Sequence, residues 1–190
     1  MNIKSLYQIA LVVVSVLSVV QTNTDTKTFS SNGLSFDYPN GWVLQDDTNS
    51  DAQQLTLARA NNDVQIRVFV HKGRIAPEKF PDAKKGFIDP YIASIMKQFV
   101  AMGAKPEQST DSSEIGGVKA DGVKIAANLG EPGAAKIYWA TVGQRVVILT
   151  IFGPDREIKQ FTPVWDKVRS TLKVEDNSTP KPAPAASPTP

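Results

Sequence analysis

Val146-Val147-Ile148-Leu149-Thr150-Ile151-Phe152-Gly153-Pro154-Asp155 is the stretch on which the architecture of this chain turns. Seven residues from Val146 to Phe152 are almost wholly apolar and β-branched, the pattern of a strand enclosed close to completely. Gly153-Pro154-Asp155 stops it, because proline cannot extend a central strand but suits a first helical turn. Asp155 and Glu157 then put negative charge where the helix dipole and the orphan N–H groups favour it. Beyond the corner, Ile158, Phe161, Trp165, Val168 and Leu172 recur at steps of three or four and define one face of a helix, which must cover a sheet. Pro163 interrupts that pattern, so two helical pieces meeting near Thr162, or a kink, are expected.

Working outward from this corner, the preceding chain reads as hairpins. Turns at Gly143-Gln144, at Gly130-Glu131-Pro132-Gly133 and at Gly116-Gly117 separate strands over 135–142, 118–128 and 109–115. Asp89-Pro90 offers a cap and a first-turn proline for a helix through about Met102, with Ile92, Ile95, Met96, Phe99 and Val100 on one face and Gly103 as its stop. The connection from His71 to Asp89, rich in Lys, Pro and Gly, reads as irregular. Val64, Ile66, Val68 and Val70 alternate with polar or larger residues after the Asn61-Asn62-Asp63 turn, and pair with a strand at Leu55 to Arg59. Gln45 to Gln53 reads as a polar loop. Nearest the N-terminus, Phe29, Leu34, Phe36 and Tyr38 alternate around Asn32-Gly33, a two-residue hairpin signal, and Pro39 and Gly41 then break the pairing.

Two end segments differ from this body. Lys4 followed by the apolar run Ile9 to Val20 makes residues 1–24 an export signal or, if uncleaved, an N-terminal anchor. Residues 175–190 are rich in Pro, Ala and Ser and carry no hydrophobe larger than Ala beyond Glu175, so a disordered tail is expected. The folded domain then occupies 27–174.

The sequence Phe36-Asp37-Tyr38-Pro39-Asn40-Gly41-Trp42, the run Val147 to Asp155, and the helix ending Val168-Arg169-Ser170-Thr171-Leu172-Lys173 together resemble the PsbP-type domain. The resemblance implies an α+β fold: an α/β/α sandwich around a central, mostly antiparallel twisted sheet with a closing C-terminal helix. That architecture is shared with a Ran-binding nuclear import factor family and with secreted bacterial proteins of unknown role. PsbP proteins are extrinsic subunits that stabilise the oxygen-evolving complex of photosystem II. No position here matches a functional residue that the resemblance would transfer.

Composition narrows the chemistry. Among 190 residues, 21 basic against 19 acidic side chains leave a net charge of +2, so no bulk field favours nucleic acid. The absence of Cys removes disulfides, thiol catalysis and Cys-based zinc sites together. Asp47-Thr48-Asn49-Ser50-Asp51 imitates half a calcium loop, but Ala52 and Ala58 stand where the turn glycine and the bidentate acid are needed. Ser94-Ile95-Met96-Lys97 fits the Ser-x-x-Lys pattern of acyl enzymes, yet Ser170-Thr171-Leu172-Lys173 fits it too and the supporting motifs are missing. His71, the sole histidine, reads as a surface residue at a strand end, and a lone imidazole limits acid–base chemistry. Lys72, Arg74, Lys79, Lys84 and Lys85 are interleaved with Glu78 and Asp82 and read as a solvated loop. Trp42, Trp139 and Trp165 read as core aromatics; Trp139 and Tyr138 must occupy opposite strand faces. The expectation is an exported, non-catalytic envelope protein that binds another envelope protein or stabilises an assembly, with no cofactor, metal or catalytic residue. The alternative is a small-ligand or polymer-binding envelope protein, and behind it an enzyme of unrecognised type.

Overall fold

The structure, a computed structural model, describes residues 25–175. The expected export segment lies outside these residues, as does the tail after Glu175. Ten strands form two sheets, one of seven strands ordered β3-β4-β5-β9-β8-β7-β6 and one of three ordered β1-β2-β10. Every strand pairing among the described residues is antiparallel.

β1 (Thr26–Ser31) and β2 (Leu34–Pro39) close around Asn32-Gly33, both at positive φ, which is the turn chemistry the dipeptide encodes. β4 (Ala52–Ala58) and β5 (Gln65–His71) form the expected second hairpin. The polar stretch before it is shorter than its composition implies. Val43–Asp46 is a strand, β3, paired with β4, and only 47–51 remains as loop. Gln53, expected in that loop, is buried and donates to the Ser31 carbonyl (2.9 Å). β6 (Glu107–Ile115), β7 (Val118–Asn128), β8 (Pro132–Val142) and β9 (Arg145–Pro154) are a continuous meander, and β9 joins the two halves by pairing with β5.

The connection after β5 departs from the irregular segment expected. A 3-10 turn at Pro77–Lys79, the short helix α1 (Phe80–Ala83) and a π-helical turn at Lys84–Ile88 run directly into α2 (Asp89–Ala101). Asp89 is therefore not a cap; it lies within continuous helical backbone and pairs with Lys84. Gly103, at φ +88, ends α2 as expected, with the Ala104 N–H reaching back to the Phe99 carbonyl. Ile92 and Ile95 face the sheet, but Val100, expected on the same face, is 59% exposed.

The closing helix is two pieces, α3 (Asp155–Gln160) and α4 (Thr162–Thr171), with Pro163 in the first turn of the second. All five residues of the expected apolar face are buried. The helix stops earlier than expected. Leu172 is extended, and Lys173–Val174 forms β10 beside β2.

The seven-stranded sheet thus has a helix layer on each face. One core holds Leu55, Leu57, Ile66, Val68, Leu149 and Ile151 against α3, α4 and the small sheet. The other packs Ile88, Ile92 and Ile95 on Val123, Ile137 and Ile148. Tyr138 and Trp139 fall on opposite faces, each beneath a helix: Tyr138 lies against Trp165 (5.9 Å between centroids) and Trp139 belongs to the α2 side. Trp42 meets the Phe161 ring edge-on at 5.4 Å.

Three polar devices fasten these layers. Glu157, buried at the start of α3, accepts the backbone N–H groups of Asp63 and Val64 through one carboxylate oxygen (2.8 and 2.9 Å). Arg145 reaches from the β8–β9 turn to the carbonyls of His71 and Asn32 and to Gln53 Oε1. Arg169 of α4 donates to Ser113 Oγ and to the Glu114 carbonyl (both 3.0 Å).

The last contact bears on the sheet edge. With Gly116-Gly117 as a two-residue turn, hairpin geometry points the main-chain groups of Gln108, Thr110, Ser112 and Glu114 outward from β6. Arg169 covers the Glu114 carbonyl, and Asp111 Oδ1 accepts the Ser112 N–H (2.8 Å), so one outward carbonyl and one outward N–H near the turn end of this edge are occupied from within.

Candidate functional site

α2 lies over β7, β8 and β9 and leaves three concave surfaces at its margins. At its C-terminal end an apolar cleft of about 350 Å³ is lined by Phe99, Met102, Ala127, Leu129, Phe152 and Pro154. Gly103 turns the chain sharply here, which leaves Met102 57% exposed rather than folded under the helix. Leu129, 46% exposed, stands in the turn between β7 and β8, and Val100 projects from the last helical turn. A smaller recess under Ile95, Gln98, Phe99 and Phe152 shares the Phe99, Met102 and Phe152 walls of the cleft. The rim carries Asp63 and Glu131, of which Glu131 meets Arg156 at 3.2 Å.

The second surface lies on the same side of the sheet, over β3, β4 and β5, and is polar. It measures about 380 Å³ and includes Gln54, Thr56, Gln65, Arg67, Phe69 and Tyr91. Arg67 lies 4.5 Å from the centre of the Phe152 ring and touches Gln65 Oε1, while the Tyr91 hydroxyl donates to Thr150 Oγ1 (3.0 Å). A third hollow between α2 and β7 holds Trp139, with Lys84 Nζ 5.7 Å above its ring; the buried Trp139 Nε1 has no hydrogen-bond partner.

The residues weighed for chemistry in the sequence are not brought together. Ser94 Oγ donates to the Tyr91 carbonyl one turn back, and Lys97 is exposed on the helix surface. Thr171 Oγ1 and Ser170 Oγ likewise bond the Lys167 carbonyl. In the 47–51 loop, Asn49 Oδ1 accepts the N–H groups of Asp51 and Ala52, and Asp46 that of Thr48, so these acceptors close turns. Among the described residues no group of three or more metal-capable side chains converges. His71 is half-buried rather than at the open surface: its ring packs on Phe87 at 4.8 Å, and its Nδ1 accepts the Gly73 N–H (3.0 Å). Of the basic residues expected in one loop, Lys72 and Arg74 lie in the bend after β5, while Lys79, Lys84 and Lys85 lie on helical turns. Lys79 lies by Asp82, Lys84 by Asp89, and Lys72 bonds the Asn49 carbonyl.

One titration is strongly displaced. Burial, then the hydrogen bond and charge of Asp111, push the Tyr138 hydroxyl well above the ordinary phenol range; it donates to Asp111 Oδ2 at 2.7 Å. This group sits between sheet and α4 as a tie.

The sequence reading names no binding site, and neither Met102 nor Leu129 is singled out in it for contact. Of the cleft's lining, the sequence reading names Phe99, on the apolar face of the helix, and Phe152 and Pro154, at the strand's end. Met102 directly before a helix-ending glycine was the available signal, since that position seldom reaches the core.

No family model matches the chain, and no curated protein does. Solved structures do. Cyanobacterial PsbP (CyanoP) from Synechocystis sp. PCC 6803 superposes with a TM-score of 0.53 at 14% identity, over 80% of this chain and 93% of its own. A crystal structure from Bacteroides thetaiotaomicron VPI-5482 gives 0.52 at 15% identity over 82% of this chain, which spans 51% of that longer one. LpqN, involved in cell envelope biogenesis of Mycobacterium tuberculosis, aligns over 80% of this chain and 91% of its own, with 13% identity and a TM-score of 0.40, too distant to bear on the fold. The first two likenesses speak to architecture, and in architecture this α+β chain has a PsbP-like fold.

Proposed function

We propose that the protein is an exported, non-catalytic binding module of the cell envelope, and that its cleft at the end of α2 receives an apolar segment of a partner protein. The observation that carries this is the exposure of Met102 and Leu129 at a cleft floored by Phe99 and Phe152. Export rests on Lys4 and the apolar run after it; among the described residues no helix is long and apolar enough to cross a membrane. The PsbP-like fold supports a module whose work is contact rather than chemistry.

The test is affinity capture from native envelope with wild-type protein and with Met102→Asp/Leu129→Asp. A partner retained by the wild type and lost from a double variant with an unchanged melting curve supports the proposal; equal capture by both refutes it. N-terminal sequencing of the envelope fraction checks export: cytosolic material still beginning at Met1 removes that part, and membrane material beginning there establishes an anchor.

A further inference from the structure

We propose that the polar concavity over β3, β4 and β5 is a second binding site, distinct from the apolar cleft, and that it takes a neutral saccharide. The backbone register builds it. Thr56 stands opposite Arg67 and Gln54 opposite Phe69, all on the sheet face that α2 leaves uncovered. Side chains directly opposite in such a ladder lie about 5 Å apart and those two residues along a strand about 7 Å apart, a grid on the scale of the hydroxyls around sugar rings.

The chemistry of that grid selects the ligand. The Gln54 amide and the Thr56 hydroxyl make no hydrogen bond to another described residue, and Gln65 is engaged only at its oxygen. Tyr91 spends its proton on Thr150, so its oxygen is left as an acceptor toward the hollow. Arg67 lies over the Phe152 ring and donates one N–H to Gln65 Oε1 (3.4 Å), which leaves its other N–H groups without a protein acceptor among the described residues. Donors and acceptors therefore alternate over the surface, with Phe69 and Tyr91 supplying apolar area between them.

Other ligand classes meet a specific obstacle. A fully apolar ligand would cover amides and a hydroxyl without replacing the hydrogen bonds they make to water. A phosphate or polyanion would find one guanidinium and, beside it, the Asp47 carboxylate; the lining carries no net charge. A divalent cation would find a single carboxylate, already accepting from Gln45. A saccharide offers C–H surface for the rings and hydroxyls that both donate and accept. A hollow of about 380 Å³ has room for a mono- or disaccharide unit, including one within a longer glycan.

The experiment is an NMR titration of the full-length ¹⁵N-labelled protein with maltotriose, a neutral glucan, and with chitotriose, an N-acetylated one, at millimolar concentration. Binding of either should shift backbone amides of β3, β4 and β5 and the side-chain amides of Gln54 and Gln65. Gln54→Ala and Arg67→Ala should each weaken it about tenfold, the loss of one good hydrogen-bonding group. Folding of each variant is verified by its melting curve, and having two variants keeps the test alive if one is unstable. Met102→Asp in the apolar cleft should leave sugar affinity unchanged, so failure of the protein-docking proposal and failure of this one are separable. No shift with either sugar, shifts confined to another surface, or full affinity in a folded Gln54→Ala or Arg67→Ala protein would each overturn the assignment.

Discussion

Replacing Glu157 tests whether a carboxylate, and not only apolar packing, holds the β4–β5 turn against α3. One oxygen of this buried side chain accepts two backbone N–H groups, from Asp63 at 2.8 Å and Val64 at 2.9 Å. In Glu157→Gln the amide oxygen can take the same place and keep both bonds, so only the assistance of the charge is lost, about 1 kcal/mol. In Glu157→Ala both donors are stranded, the Val64 N–H where water does not reach and the Asp63 N–H at the margin, for a total of about 3 kcal/mol. For a domain of this size those costs correspond to melting temperatures lower by about 3 °C and about 9 °C. The assay is urea unfolding followed by fluorescence, with calorimetry alongside. The midpoint should fall in the order wild type, Gln, Ala with the slope unchanged, since the surface exposed on unfolding is the same. Equal losses from the two variants would mean that the negative charge, not the pair of hydrogen bonds that Gln retains, is what matters. An Ala variant within about 0.5 kcal/mol of wild type would show the clamp to be idle.

Trp165→Ala should cost about 3–5 kcal/mol, as for other large aromatic truncations in a core, while exposed Lys173→Ala should stay within about 0.5 kcal/mol; chemical denaturation compares them directly. Because Tyr138 titrates higher in the folded protein than its ordinary 10.0, the unfolded chain loses that proton first as pH rises, so the contribution is intact below pH 10 and stability declines above it. Tyr138→Phe should flatten that alkaline decline in melts between neutral pH and the alkaline limit, and an identical decline in both proteins would exclude Tyr138 as its source. Asp111→Ala/Arg169→Ala uncovers the Ser112 N–H and the Glu114 carbonyl on the β6 edge, so light scattering should detect larger species than wild type at equal concentration. An unchanged mass would show that these contacts do not guard the edge.

Much of the fold was legible because local chemistry and tertiary packing agree. Asn32-Gly33 and Gly143-Gln144 adopt the positive φ values their turns demand, and the Ile158 to Leu172 stripe is buried as its spacing requires. The failures have physical causes. Phe80, Ala83, Phe87 and Ile88 recur at helical intervals, but Pro77, Pro81, Gly86 and the lysines between them outweighed that period, and the resulting helix is broken into 3-10, α and π turns. β3 and β10 are four and two residues long, too short for any alternation to register, and they exist because a longer neighbour already presents a ladder. The apolar cleft depends on Met102 and Leu129, which are far apart in sequence and meet only because α2 ends above the β7–β8 turn. The polar hollow was still less visible, since Gln54, Thr56, Gln65 and Arg67 read as the solvent side of an ordinary amphipathic hairpin.

The single junction of β5 with β9 has a consequence for how the chain reaches this state. Each half of the large sheet is made of hairpins between consecutive strands, which close quickly, whereas Gln65 and Phe152 must meet across roughly 80 residues of intervening chain. Closing a loop of that length in place of a four-residue turn costs about 3 kcal/mol more in chain entropy, so the junction belongs late in folding. Until β9 has been synthesised and docks, the inner face of the first hairpin, Leu55, Leu57, Ile66, Val68 and Val70, has no strand beside it at the β5 edge and no α3–α4 cover. A nascent chain therefore carries this apolar surface uncovered from the end of β5 to the end of β9, and that interval is when it is most open to chaperones and to aggregation.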